Sequence, residues 1–161
     1  MTLLKGFHGK YDFLSNFYIC DIFYNGHTYK SAEHAFQAAK ANTEEERQYV
    51  ADAPTPGQAK ARGRKVSLRS DWEENKDQVM ADIIHSKFQN PLLKQKLLAS
   101  ITDNIDAFCE SNWWHDNYWG DCQCDKCRDK IGQNKLGKII TAERERIIIE
   151  TLKRKERKRN D

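Results

Sequence analysis

The sequence predicts an α+β fold: one mostly helical domain carrying a small N-terminal β-hairpin. Three observations lead there. Asn25-Gly26 sits between β-forming runs at 17–24 and 27–29, and this dipeptide is a strong signal for a two-residue hairpin turn. From residue 31 onward, helix-start signals recur at short intervals. The chain has 161 residues, 39% hydrophobic and 32% charged, which suits one core and is too apolar for disorder.

The elements follow in order. Ser31 caps a helix from about Ala32 to Ala41. Thr43 with Glu46 forms a capping box for the next helix, which ends in the loop Ala53-Pro54-Thr55-Pro56-Gly57. Pro56 suits the first turn of a short helix reaching Ala61. Ser70 with Glu73 is a second capping box, opening a long helix to about Phe88, and Asn90-Pro91 starts another. A short strand is expected at Ala107-Phe108-Cys109-Glu110. A Gly- and Cys-rich loop runs from Trp119 to Asn134, and a last helix carries Leu136, Ile140, Ile147 and Thr151.

Charge divides the chain in two. The net charge is +3, yet residues 153–161 hold six of the 27 basic residues and two of the 24 acidic ones. The remaining body, 1–152, has 21 against 22 and a net charge of −1. The basic tail 153–161 is either a solvated helix end or an electrostatic handle for nucleic acid. No run of about 18 apolar residues is present, so no membrane span is expected. The first residues lack the apolar region and cleavage site of a signal peptide. Five cysteines, an odd number, argue against a disulfide framework. A cytoplasmic protein is the expectation.

Three groups of residues sit in unexpected places. On the first helix Glu33, Gln37 and Lys40 form one polar stripe beside Phe36, with alanines on the other sides. Either the stripe is solvated, with Glu33 favoured by the helix dipole, or it faces a cleft. On the long helix Lys87 falls inside the apolar stripe of Val79, Met80, Ile83, Ile84 and Phe88. It either snorkels to water or sits in a dry pocket where desolvation lowers its pKa and frees a nucleophilic amine. Third, Trp113-Trp114-His115-Asp116-Asn117-Tyr118-Trp119-Gly120 forms no amphipathic stripe. It suits either a site that stacks a flat base and binds ribose hydroxyls, or an aromatic plug on the core.

These features occur in a known order. Leu14-Ser15-Asn16-Phe17, then Asn25-Gly26, then Ser31-Ala32-Glu33-His34-Ala35-Phe36-Gln37-Ala38-Ala39-Lys40 resemble the N-terminal signature of the NADAR (YbiA-like) family. The resemblance continues through Gln58-Ala59-Lys60-Ala61-Arg62-Gly63-Arg64, Leu68-Arg69-Ser70-Asp71-Trp72, Val79-Met80 and Lys87-Phe88. It closes with Asp116-Asn117-Tyr118-Trp119-Gly120 and Gly132-Gln133-Asn134-Lys135-Leu136-Gly137, covering about Gly6 to Glu150. It implies an N-glycosidase that cleaves nitrogen from ribose C1 without a metal or redox cofactor. The substrate class implied is either ADP-ribosylated guanine of nucleic acid or a phosphoribosylamino-pyrimidine intermediate of riboflavin biosynthesis.

Cleaving such a bond builds positive charge on the ribose. Glu33 is the candidate for stabilising that charge or passing protons. Lys87, with Lys40 as second choice, is the candidate amine for a Schiff base at C1. Asp116 is a second acid–base group or ribose ligand. Asn16, Phe17, Gln37, Trp72, Trp119, Gly120 and Asn134 are candidate substrate contacts. Arg62, with Arg64 and Arg69, is a candidate for phosphate. Against the shorter glycine-rich loop of the family, Cys122-x-Cys124-x-x-Cys127 stands out. These three thiols, with Cys109 or His115 as the fourth ligand, are candidates for a structural zinc. The alternative to an enzyme is a non-catalytic module that binds ADP-ribose or a nucleotide. It needs neither Glu33 nor Lys87 for turnover.

Overall fold

The computed structural model describes residues 2–161. Its strands are β1 (Leu3–Lys5), β2 (Ile19–Tyr24), β3 (His27–Ser31), β4 (Ala107–Cys109), β5 (Ser111–Asn112) and β6 (Asp121–Cys122). Its α-helices are α1 (Ala32–Ala39), α2 (Glu44–Ala51), α3 (Pro56–Gly63), α4 (Trp72–Lys87), α5 (Pro91–Ala99) and α6 (Lys135–Asn160). Short 3-10 turns lie at Gly9–Leu14 and Asp125–Cys127. The fold is α+β with helices dominant, as the helix signals and the Asn-Gly turn require. Within it the residues gather into two compact units, His8–Lys87, and Phe88–Asp161 together with the residues up to Phe7.

In the unit His8–Lys87, Asn25 (φ 47) and Gly26 (φ 80) take the two left-handed positions of the hairpin turn. Tyr24 then pairs with His27 and Ile22 with Tyr29, which turns Ile22 and Tyr29 inward, where both are buried. The strand β2 packs on α4, and Ser86 Oγ donates to the Phe23 carbonyl at 2.6 Å. Helix α1 packs on α2, α3 and α4, and all eight of its residues are buried. Alanine at 32, 35, 38 and 39 makes this possible, because a methyl side chain lets neighbouring backbones approach and carries little side-chain entropy to lose.

The capping signals resolve unequally. Ser31 Oγ accepts from His34 N–H, and Asn90 Oδ1 accepts from Leu92 and Leu93 N–H. Thr43 Oγ1 accepts from Glu46 N–H, but the Glu46 carboxylate bonds Ser67 N–H and Oγ instead of closing a box. The expected Ser70 box gives way to a start one residue later. The Asp71 carbonyl accepts from Asn75 N–H, so Asp71 takes the cap position, its carboxylate paired with Arg69 at 2.6 and 2.8 Å.

In the second unit, β1 pairs with β4 in parallel, Leu3 opposite Ala107, and β5 pairs with β6. Strand β1 was not foreseen: three residues are too few to show an alternation. Helix α6 lies against β4. Its buried Arg144 donates to Ser100 Oγ at 2.7 Å and to the Ile105 and Asp106 carbonyls at 2.8 Å. The basic stretch 153–161 continues α6 as an exposed helix end. Among the described residues no helix is long and apolar enough to cross a membrane.

Candidate active site

The unit His8–Lys87 carries Lys87 with its side chain 1% exposed. The amine does not snorkel; Nζ donates to the Ser15 carbonyl at 2.9 Å and lies 5.7 Å from the Tyr18 ring centroid. Burial pushes its pKa down to about 8, with Cys20 and Asp12 pulling the other way. Burial also raises the Cys20 thiol, so this neighbour stays neutral near pH 7 and supplies little counter-charge. At that pH roughly a tenth of the amine is free, about 300-fold more than for an ordinary lysine.

The next residue along from Ser15 reaches the first helix. The Asn16 carbonyl accepts from Glu33 N–H at 3.0 Å. One short segment, Ser15-Asn16, thus holds the Lys87 amine on one carbonyl and the start of α1 on the other. The solvated alternative for the α1 stripe does not hold: Glu33 and Gln37 are 7% and 4% exposed, with Gln37 Nε2 donating to Glu33 Oε1 at 2.7 Å. Gln37 Oε1 and Asn16 Oδ1 are buried and have no hydrogen-bond partner among the described residues. Such acceptors are rare in folded proteins and mark places where a donor is expected from outside the chain. Gly63 allows this packing, since a Cβ there would stand 2.1 Å from Gln37 Oε1.

Lys40, at the C-cap of α1, is half-buried, with Nζ 5.7 Å from the Phe36 ring centroid. Its pKa is lowered by burial and by Lys60, Arg64 and Lys76, and Glu33 opposes this. The acid of α1 therefore sits in the field of a cationic rim. Of the arginines expected to meet phosphate, Arg64 belongs to this rim. Arg62 is turned to Tyr49, donating to its carbonyl at 2.8 Å and stacking on its ring at 4.8 Å, and Arg69 is paired with Asp71. Trp72 is buried against Phe36, ring centroids 5.1 Å apart, so it supports the ring beneath Lys40 instead of offering a free stacking face. Phe17 is exposed.

The second unit carries the other candidates. Asp116 Oδ1 accepts from Tyr118 N–H at 3.0 Å and from Trp119 N–H at 2.9 Å, so this carboxylate shapes its own loop. Trp119 is half-buried, edge-on to Tyr118 at 4.8 Å, while Trp113 and Trp114 are exposed and plug no core. Asn134 spends both ends of its amide on the β4 segment: Oδ1 accepts from Glu110 N–H and Nδ2 donates to the Phe108 carbonyl, each at 2.9 Å. Its left-handed backbone (φ 48) opens α6. Gly120 passes close to the Glu110 carbonyl, where a Cβ would stand at 2.3 Å. Asn134 and Gly120 therefore have structural duties in this unit. Cys122, Cys124 and Cys127 converge with His115, all four ligand atoms within 4.8 Å of one another. Cys109 stands apart on β4, its sulfur accepting from Ser111 Oγ.

Two features were beyond sequence reasoning. The Ser15 carbonyl is a backbone group, and no residue type announces it. His34 is fully buried, bridging Ser31 Oγ at 2.7 Å and the Ala53 carbonyl at 2.9 Å, and only its place inside a polar–alanine helix hinted at this.

A buried lysine amine held by the Ser15 carbonyl, and a buried carboxylate on the helix whose start the Asn16 carbonyl holds, cost stability that a merely structural arrangement has no need to give up. They mark an α+β enzyme. The chain belongs to the NADAR family, whose domain model matches residues 5–148. It is 35% identical over 143 residues to proteins named N-glycosidase YbiA from Escherichia coli (strain K12) and Shigella flexneri serotype 5b, covering 87% of this chain and 84% of each relative. A riboflavin biosynthesis protein of Vibrio vulnificus (strain YJ016) is 33% identical over 141 residues, 86% of this chain and 36% of that longer protein. The NMR structure of E. coli YbiA matches with a TM-score of 0.76 at 32% identity, covering 94% of this chain and 88% of that one.

Proposed function

We propose that this chain is an N-glycosidase that hydrolyses the bond between ribose C1 and nitrogen in a nucleotide-derived substrate, through a Schiff base on Lys87. The class, a hydrolase of N-glycosyl compounds, rests on the family and on the relatives named N-glycosidase. The observation that carries the mechanism is the Lys87 amine, buried, held by the Ser15 carbonyl, with a pKa of about 8.

In this mechanism the free Lys87 amine attacks C1 as the C1–N bond breaks and the leaving nitrogen takes a proton. The lysine-bound sugar opens, its ring oxygen is protonated, and an imine forms between Nζ and C1. Water then adds to the imine carbon, releases the sugar aldehyde and restores the amine. Glu33 stabilises positive charge on the sugar and carries protons between these steps. Asn16 Oδ1 and Gln37 Oε1 accept from ribose hydroxyls or base N–H groups, which would complete two buried acceptors. The rim of Lys40, Lys60, Arg64 and Lys76 receives the substrate phosphate. These groups carry the whole reaction, so it uses no cofactor.

Of the two substrate classes, the Vibrio relative's name favours a phosphoribosylamino-pyrimidine, and the basic helix end favours ADP-ribosylated guanine in nucleic acid. None of the five cysteines is in a disulfide, which suits a reducing cytoplasm.

The test is to incubate the protein with each substrate plus borohydride, and to map adducts by mass spectrometry. A reduced sugar adduct on Lys87, with base released in its absence, is expected. An adduct on Lys40 would transfer the role to that lysine. Base release without any adduct would point to direct water attack guided by Glu33. Binding without release would make the chain a nucleotide reader.

A further inference from the structure

Outside the groups used above, the second unit contains a cluster that the proposed reaction leaves unexplained. His115, Cys122, Cys124 and Cys127 place one imidazole nitrogen and three sulfurs within 4.8 Å of one another. We propose that they form a structural zinc centre that clips the loop 113–123 into shape.

The geometry argues for a metal. Around tetrahedral zinc, with Zn–S near 2.3 Å and Zn–N near 2.0 Å, neighbouring S and N ligands stand about 3.6 Å apart. His115 Nδ1 lies 3.3 Å from Cys124 Sγ and 3.5 Å from Cys127 Sγ, close to that edge length. The third sulfur, Cys122 Sγ, accepts the backbone N–H of His115 at 3.3 Å, the kind of outer contact that steadies a metal-bound thiolate. His115 adopts φ 69, a left-handed conformation that costs a non-glycine residue roughly 1 kcal/mol or more. This backbone turns the imidazole into the thiols while Trp113 and Trp114 point to solvent. Thiolate and imidazole donors in this number select zinc. Four protein ligands close the coordination shell, so the centre is structural and leaves no position for substrate.

The clip acts on the loop that carries Asp116, Tyr118 and Trp119. The buried Asn112 accepts from Trp114 and Asp116 N–H and donates to the Asp116 carbonyl at 2.8 Å. Asn117 Oδ1 accepts from Cys122 N–H at 2.9 Å. Polar bonds at half-exposed positions hold such a loop weakly in water. A metal that joins 115 to 122, 124 and 127 closes it covalently on both sides of Asp116–Trp119. Zinc binding here is independent of the glycosidase proposal.

The experiment starts from protein purified under reducing conditions without added metal. Elemental analysis is expected to give one zinc per chain. Zinc removed by chelator and replaced by cobalt is expected to show the intense near-ultraviolet thiolate band and the visible bands of a tetrahedral site, at one equivalent. Cys127→Ser and His115→Ala should lose the metal, and Cys109→Ser and Cys20→Ser should keep it. Should a ligand variant fail to fold, the cobalt titration of the wild-type chain still decides. Amide exchange at 111–123 should speed up at least tenfold on zinc removal and recover on readdition, with 72–87 unchanged. Substoichiometric zinc with no tetrahedral cobalt spectrum, or a disulfide among the three cysteines in freshly reduced protein, would overturn the proposal. Unchanged exchange at 111–123 would overturn the clip role.

Discussion

At the scale of the residue, the role proposed for Lys87 sets function against stability. Its folded pKa of about 8 lies below the unfolded value of 10.5. The unfolded chain therefore binds more protons between these values, and stability rises with pH from about 8 to 10.5. Below pH 8 the fold bears a cost of about 3 kcal/mol for the buried charge, less the bond to the Ser15 carbonyl. Lys87→Met removes the charge and one of the two bonds to that carbonyl, which still accepts from Tyr18 N–H at 3.1 Å, a loss of about 1 kcal/mol. The variant should be inactive, yet as stable as the wild type or more so at pH 7. Urea unfolding of both proteins at pH 7 and pH 10 checks this: the gap should shift towards the wild type at the higher pH. Parallel curves would mean the amine is not desolvated. Glycosidase activity of the wild type should rise with pH through about 8 as the amine is freed. Lys87 was legible in the sequence because a charge inside an apolar stripe is an anomaly with few explanations. Glu33 and Gln37 were legible only as a stripe, because spacing alone does not say which face of an alanine-rich helix is covered. Asn134 was legible as a motif residue, but its duty was not: both ends of its amide go to backbone groups 24 and 26 residues away, pairings no local pattern encodes.

At the scale of the element, the hairpin, the capped helices α1, α2, α3 and α5, and the last helix were readable because their signals are local. Cap residues, Pro at the first turn and Asn-Gly act within four residues. What was not readable is long-range: β1 finds β4 across about a hundred residues, and Glu46 leaves its expected box for Ser67. Glycines show the same contrast. Gly137 lies in the first turn of α6, where a Cβ would stand 2.2 Å from the Phe108 carbonyl, a backbone atom that cannot swing away. Gly57, in the first turn of α3, would meet nothing closer than Thr55 Oγ1 at 4.0 Å. Gly137→Ala should destabilise by about 2 kcal/mol or more by prising α6 from β4. Gly57→Ala should be neutral or stabilise by up to about 1 kcal/mol through helix propensity. Thermal unfolding of the two variants measures the difference; equal effects would mean α6 does not pack this closely on β4. Helix α1 adds a pH response. Burial lowers the His34 pKa below 6.5, against an opposing pull from the Ala53 carbonyl. The unfolded chain takes up the proton first, so stability present above about pH 6.5 is lost as pH falls. His34→Asn should be less stable at pH 7.5 and should flatten this acid slope in unfolding curves.

At the scale of the whole molecule, charge is segregated: a body of net −1 and a helix end, 153–161, with six cations and two acids. That end is fully exposed, so it adds nothing to a core, and its cations suit the negative end of the α6 dipole. The two proposed substrates distinguish its roles. A free phosphoribosylamino-pyrimidine is small and meets only the catalytic groups, so deleting 153–161 should leave its turnover and the unfolding midpoint unchanged. A nucleic-acid-linked substrate offers a row of phosphates, and each one neutralised by a cation contributes about 0.9 to the slope of log affinity against log salt on a duplex. If the tail docks nucleic acid, its deletion should weaken binding of ADP-ribosylated DNA at least tenfold at about 50 mM salt. It should also lower the salt slope by several units, up to about 5 if all six cations engage. The body would then keep only the smaller salt dependence of the rim Lys40, Lys60, Arg64 and Lys76. Titrating labelled DNA at three salt concentrations with the full and shortened chains measures both quantities. Identical slopes would make the tail a solvated helix end, remove the one feature that favours nucleic acid, and leave the free pyrimidine nucleotide as the substrate to pursue.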